Sequence, residues 1–185
     1  YWQSPTAATT RVLQGVWGFS SNDVWMVGGE TATDTSTTIV HWNGQVLSDV
    51  SPRSPYIQGR LYDIWGADPN EMWAVGQTEN AGKMKLGLII KWNGTRWDPY
   101  VDTEFDSTAL DTVLWNRING VDRDHVYAVG NANSCDTATP PHCRGNLGIF
   151  GNGTGGFKWR RPRSAAAAGL FVVQSVSPSA IWLGG

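Results

Sequence analysis

The sequence is poor in the residues that membranes and catalysis require. No stretch approaches the roughly 18 apolar residues of a helical membrane span; Ala165–Ala168 is far too short. Only 3 histidines occur in 185 residues, namely His41, His125 and His142. None recurs beside a plausible nucleophile, so a Ser-His-Asp arrangement has no support. Charged residues are 16% of the chain and the net charge is −2. Lysines and arginines are scattered, which excludes the basic stripe of a nucleic-acid binder. The densest group, Lys158-Trp159-Arg160-Arg161-Pro162-Arg163, falls where a strand should end and reads as a solvated edge that discourages pairing. Asp122-Arg123-Asp124 lacks the glycine and distal glutamate of a calcium loop. The glycines of 151–156 sit in a hairpin rather than before a helix, so no phosphate cradle is present. No cofactor or metal is implied. Acid pairs for glycoside hydrolysis, such as Asp63 and Glu104, can be named but nothing selects them.

Cysteine is scarce too. Cys135 and Cys143 bracket seven residues within the longest insertion. A disulfide there would close a loop that has no core of its own, contributing about 2–3 kcal/mol in the chain-entropy model, and would imply an oxidising compartment. Free thiols are the alternative. A metal site of Cys135, His142 and Cys143 fits no common zinc spacing and lacks a fourth ligand.

What the chain has instead is tryptophan and glycine, 11 and 22 residues. They are arranged in copies. GVWGFSSNDVWMVGG at 15–29 returns as DIWGADPNEMWAVGQ at 63–77, RINGVDRDHVYAVGN at 117–131 and, degraded, FVVQSVSPSAIWLGG at 171–185. Trp17, Trp65, Asn119 and Gln174 share one position, in steps of 48, 54 and 55 residues. Trp25, Trp73, Tyr127 and Trp182 share another. A period near 50 residues is the mark of a β-propeller blade or a related array.

Each full copy divides into four extended segments. Those of the first are Leu13–Gly18, Asp23–Gly28, Thr37–Trp42 and Gln45–Val50. Short polar turns join the first two segments, and Asn-Gly joins the last two at Asn43-Gly44, Asn93-Gly94 and Asn152-Gly153. Asn-Gly between apolar runs predicts a type I′ hairpin. Each copy is therefore expected to be a four-stranded antiparallel meander. Its second strand is apolar without a break, as in Met72-Trp73-Ala74-Val75. Such a strand needs cover on both faces, and blades stacked around an axis supply it. Trp17, Trp25, Trp42, Trp65, Trp73, Trp92, Tyr127 and Trp182 are assigned to packing between blades.

The fold expected is all-β, a β-propeller of about three and a half blades. Its parts are 1–10 as the tail of a preceding blade, 11–58, 59–112 and 113–166 as blades, and 167–185 as a half blade. Both ends look cut, and no secretory leader is legible at Tyr1, whose native upstream residues are expected to have been removed. The expectation is a segment of a larger ring of about six to eight blades, with completion by a second copy or another chain as the alternative.

The pattern W-G-x-x-x-x-[DE]-x-W-x-V-G followed by [IV]-x-W-N-G is carried by Trp17-Gly18, Asp23-Val24-Trp25, Val27-Gly28 and Val40–Gly44. It is carried again by Trp65-Gly66, Glu71-Met72-Trp73, Val75-Gly76 and Ile90–Gly94. It resembles a repeat of secreted or cell-surface bacterial β-propellers, and is more distantly similar to the Asp-box propellers of sialidases and assembly factors. The third copy departs at Asn119, Tyr127 and Gly151, and the Asp-box spacing itself is not met. The resemblance implies a propeller in an extracytoplasmic setting and is silent on activity.

Within such a ring the innermost strand would carry Gly15, Asp63, Arg117 and Val172 at one aligned position. Asp63 and Arg117, on neighbouring blades, read either as an ion pair between blades or as a polar channel mouth. The insertions 29–36, 77–86 and 131–145 differ in length over a constant scaffold, as recognition loops do. Asn93 and Asn152 match the glycosylation acceptor, although the turn alone already explains them. The function expected is a non-catalytic platform for protein partners or for the remainder of the same propeller. A carbohydrate-binding lectin and a piece of a glycosidase-like enzyme are the alternatives.

Overall fold

The computed structural model describes residues 9–29, 36–79, 85–100, 113–132, 145–153, 156–160 and 169–185. Among them there are strands and no helix. Sheet I is formed by β1 (Leu13–Ser20), β2 (Asp23–Gly29), β3 (Thr37–Trp42) and β4 (Leu47–Asp49). Sheet II is formed by β5 (Arg60–Asp68), β6 (Glu71–Glu79), β7 (Lys85–Trp92) and β8 (Trp97–Pro99). Sheet III contains β9 (Val113–Asp122), β10 (His125–Ala132), β11 (Gly145–Gly153) and β12 (Gly156–Arg160). β13 (Val172–Ser177) and β14 (Ala180–Gly184) make the two-stranded sheet IV. Every pairing is antiparallel and follows chain order, so each sheet is a meander.

The first hairpins share one register. Trp17 faces Trp25, Trp65 faces Trp73, Asn119 faces Tyr127 and Gln174 faces Trp182. Their turns are closed in one way: Ser20 Oγ, Asp68 Oδ1 and Asp122 Oδ1 each accept the backbone N–H two residues on, a local bond that short polar side chains favour. The first strand slips past its partner between Leu13 and Gly15, Leu61 and Asp63, and Trp115 and Arg117. Such bulges sharpen twist. Opposite the bulge stands the glycine of the V-G pair. A Cβ on Gly28, Gly76 or Gly130 would run into the carbonyl oxygen of Val12, Arg60 or Leu114. That contact is the physical reason for the glycine in the repeat.

The Asn-Gly hairpins differ from the expected two-residue turn. β3 and β4 resume pairing at Trp42 and Leu47, and β7 and β8 at Trp92 and Trp97, leaving four-residue loops. Asn43 Oδ1 accepts the N–H groups of Gln45 and Val46 at 3.0 and 2.8 Å, and Asn93 Oδ1 those of Thr95 and Arg96 at 3.0 Å each. Gly44 and Gly94 adopt φ of 90° and 88°, which side chains rarely accept. The asparagine acts through its side chain. In the third copy Asn152 and Gly153 still belong to β11, paired with Phe157 and Gly156.

The sheets bury their apolar surface against one another. Trp25, Val27 and Ile39 of sheet I form one cluster with Leu61, Ile64, Met72, Ala74, Ile90 and Trp97 of sheet II. Trp65, Trp73, Val75 and Ile89 of sheet II form the next with Trp115, Ile118, Val126 and Ala128 of sheet III. Tyr127 and Val129 of sheet III meet Leu170 and Val173 beside and in sheet IV. The unbroken β6 run thus splits by alternation: Met72 and Ala74 face back to sheet I, while Trp73 and Val75 face on to sheet III. First strands are neighbours, with β5 against β1 and β2, β9 against β5 and β6, and β13 against β9 and β10.

Candidate functional site

A few polar groups join neighbouring sheets. Asp63, half-buried on β5, accepts the backbone N–H of Ile118 on β9 through Oδ2 at 3.0 Å. Burial raises its pKa above the ordinary carboxylate value, while the N–H groups of Ile118 and Ile64 and the charge of Arg117 act the other way. Arg117 is exposed and donates to the carbonyl of Asn116 at 2.9 Å. No ion pair joins Asp63 and Arg117 among the described residues; the strand-to-strand tie runs from the carboxylate to the backbone. One step on, Asn119 Oδ1 accepts the N–H of Ser175 at 2.9 Å and also the Ser175 hydroxyl, so sheets III and IV are tied in a similar way.

A second feature recurs on the second and third strands. In sheet I, Asp23 Oδ1 receives Trp25 Nε1 at 2.9 Å and stands 2.8 Å from His41 Nε2. The imidazole lies flat on the indole of Trp25, centroids 4.1 Å apart. In sheet II, Glu71 takes the place of Asp23. Its Oε1 is 2.6 Å from Lys91 Nζ, which sits 4.7 Å above the Trp73 ring. Arg123, from the β9–β10 turn of sheet III, reaches Glu71 Oε2 at 2.9 Å. In each row the side chain paired with the acid lies over an indole, and for Lys91 the ammonium charge attracts the ring face. His41 is half-buried and bound. In the first two copies the acid stands two residues before the aromatic, and the aromatic stands opposite His41 or Lys91. His125, in the third copy, turns to Asp122 at 2.7 Å, and that hydrogen bond lowers the Asp122 pKa.

The aromatic positions separate into covered and open ones. Trp25, Trp65, Trp73 and Tyr127 are buried. Trp17 is half-buried, 5.9 Å from Trp65 across the sheet I–II boundary. Trp92 meets Trp25 of the preceding sheet at 5.3 Å. Trp42 and Trp92 also donate their indole N–H to the carbonyls of Ser21 and Pro69 at 3.1 Å. Tyr127 donates its hydroxyl to Pro178 of sheet IV at 2.9 Å, and burial raises its pKa. Trp182 alone of this series lies open, 71% exposed. Its neighbours Val172 and Val176 are exposed as well. At the other end of the array Val12, Leu13 and Val16 are exposed.

An open polar cleft of about 500 Å³ lies beside β3, lined by Arg11, Thr37, Asp49, Arg53 and Gln58 among others. Arg11 spends its guanidinium within the fold, on the carbonyls of Ser36 and Thr37 and on Thr38 Oγ1. Among the described residues no three His, Cys, Asp or Glu side chains gather as metal ligands would. Cys135 and Cys143 lie outside the described residues, as do Glu104, His142 and most of the three insertions. Asn93 engages its amide with Asp98 at 3.1 Å as well as capping its loop. Comparison with family models, with curated proteins and with solved structures gives no match.

Proposed function

We propose that the chain is a run of β-propeller blades, three complete and one half, that serves as a non-catalytic extracytoplasmic platform for protein–protein contact. The observation that carries this reading is the repetition of one sheet-to-sheet contact. Three successive apolar layers are built from equivalent residues, with first strands side by side, as blades around a hub require. Of the titratable side chains that recur, Asp23 pairs with His41 and Glu71 with Lys91 within their own sheets, and Arg123 of sheet III joins Glu71 across the sheet II–III boundary. The extracytoplasmic setting rests on the resemblance of the repeat and on pairing of Cys135 with Cys143, which predicts no free thiol in the denatured, unreduced protein.

A lectin reading draws on Trp182, because an exposed indole can stack on a pyranose face. Of its surroundings, Val172 and Val176 are apolar, and the one polar side chain directly across the hairpin is that of Gln174. The test is a glycan array together with tryptophan emission titrated against the same saccharides. The platform reading predicts no array signal and no change in emission. A saccharide-dependent shift that disappears in Trp182→Phe would overturn it, as would glycosidase activity that survives purification.

A further inference from the structure

Asn-Gly occurs four times, at Asn43-Gly44, Asn93-Gly94, Asn119-Gly120 and Asn152-Gly153. The dipeptide carries its own chemistry: the glycine nitrogen can attack the asparagine Cγ, unhindered because glycine has no Cβ. The fold sets the four in different surroundings. Asn43 is exposed in the β3–β4 loop, outside the ladder, which resumes at Leu47. Its Oδ1 accepts two backbone N–H groups, from Gln45 and Val46. Negative charge gathers on that oxygen when Cγ is attacked, and donors fixed there in advance lower the barrier. Asn93 has the same loop and the same two donors. It differs at its amide nitrogen, which donates to Asp98 Oδ2 at 3.1 Å. Sheet I carries Ser48 at the matching place, since Ser48 faces His41 as Asp98 faces Lys91. Asn119 lies within β9, where it pairs with Tyr127 and Gly120 pairs with Val126, and its Oδ1 accepts from Ser175 of sheet IV. Closing a five-membered ring there turns the backbone out of the extended range and undoes both ties. Asn152 and Gly153 are likewise paired, with Phe157 and Gly156.

We propose that Asn43 is a site of spontaneous covalent modification, converting to isoaspartate and aspartate ahead of the other three Asn-Gly pairs. The Gly44 nitrogen gives up its proton to water and bonds to Asn43 Cγ. The Cγ–Nδ2 bond breaks, and Nδ2 takes a proton from water and leaves as ammonia. A water molecule then opens the resulting succinimide. Addition at Cγ gives aspartate, and addition at the main-chain carbonyl carbon gives isoaspartate. In sum one water enters and one ammonia leaves, with no change of oxidation state. Asn93 reacts more slowly because Asp98 holds the nitrogen that has to depart. Either product adds one negative charge to the loop. Isoaspartate also carries the main chain through the former side chain, so the cap on Gln45 and Val46 is lost. The modification needs neither a partner nor a ring of blades, so it stands apart from the platform reading.

The test incubates the whole folded chain in warm, mildly alkaline buffer for weeks. Mass spectrometry follows each Asn-Gly peptide, with electron-transfer fragmentation to separate isoaspartate from aspartate. Asn43 should convert first, Asn93 several-fold more slowly, and Asn119 and Asn152 more slowly still. In denaturant, where only the dipeptide remains, the four rates should draw together. Asp98→Ala should raise the Asn93 rate to that of Asn43, with circular dichroism showing that the variant stays folded. A folded parent in which Asn93, Asn119 or Asn152 converts as fast as Asn43 overturns the inference. So does an Asp98→Ala variant whose Asn93 rate is unchanged or lower. Rates that stay as far apart in denaturant overturn it as well, because the order would then come from flanking sequence. Should Asp98→Ala unfold, Asp98→Ser, which places there the residue that sheet I carries, gives the same comparison.

Discussion

Gly18 and Gly120 hold the same place in the repeat but not the same surroundings. The Trp65 ring presses on Gly120 from the preceding sheet, whereas among the described residues a Cβ on Gly18 would first meet Val24 of its own sheet, at 3.3 Å. Gly120→Ala is therefore expected to cost about 1–3 kcal/mol by overpacking. Gly18→Ala should stay within about 0.5 kcal/mol, as surface changes do. Urea midpoints of the two variants decide this, and equal losses would contradict the layered packing. Asp63 offers a second contrast. Asp63→Asn keeps an oxygen for the Ile118 N–H, whereas Asp63→Ala strands that donor at about 1–3 kcal/mol. The native fold raises the Asp63 pKa, so folded protein holds this proton to higher pH than unfolded chain does. Its contribution is fully present below the ordinary carboxylate range and is lost as pH rises through the raised value. Stability measured against pH should show that decline in the parent and lack it in Asp63→Asn.

Among the elements, the hairpins were readable because turn chemistry is local. Polar pairs and Asn-Gly bound apolar runs, and β2, β6 and β10 begin where those signals end. What the Asn-Gly pairs do was not readable. Trp42 pairing with Leu47 makes a four-residue loop in which the asparagine side chain caps two N–H groups, a distinction of loop length that composition does not carry. Asn93→Ala should cost about 1 kcal/mol, and Asn93→Asp, which keeps the acceptors, should cost less; thermal melts of both check this. The bulges in β1, β5 and β9 also escaped notice, although the glycine opposite each is their trace. The Glu71 row was hidden because its members come from two sheets. Glu71 is nearly buried, whereas Arg123 is 67% exposed. Glu71→Ala should therefore cost about 1.5–3 kcal/mol, the range for hydrogen bonds to charged groups, against at most about 1 kcal/mol for Arg123→Ala at the solvent-facing end.

At the scale of the molecule, the all-β class and the use of tryptophan for packing followed from the period and the unbroken second strands. Burial on both faces of β6 forces sheets to stack, whatever their number. The candidate pair Asp63 and Arg117 fared differently, because alignment places residues at equal heights without saying which atom meets which. The carboxylate found a backbone N–H and the guanidinium found solvent and a carbonyl. Function was the least legible level. A platform is defined by what docks on it, and the exposure of Val16 and Trp182 depends on neighbours that a repeat pattern treats as interchangeable. The central claim is that the aromatic second strands lie between successive sheets, each ring directed to the sheet that follows. Nuclear Overhauser contacts from the ring protons test it most directly. The account predicts contacts from Trp25 to Trp92 and Trp97, whose centroids stand 5.3 and 6.2 Å away, from Trp73 to the sheet III members of its cluster, and from Tyr127 to Val173. Rings that instead contact only their own sheet, or the sheet before it, would contradict the account.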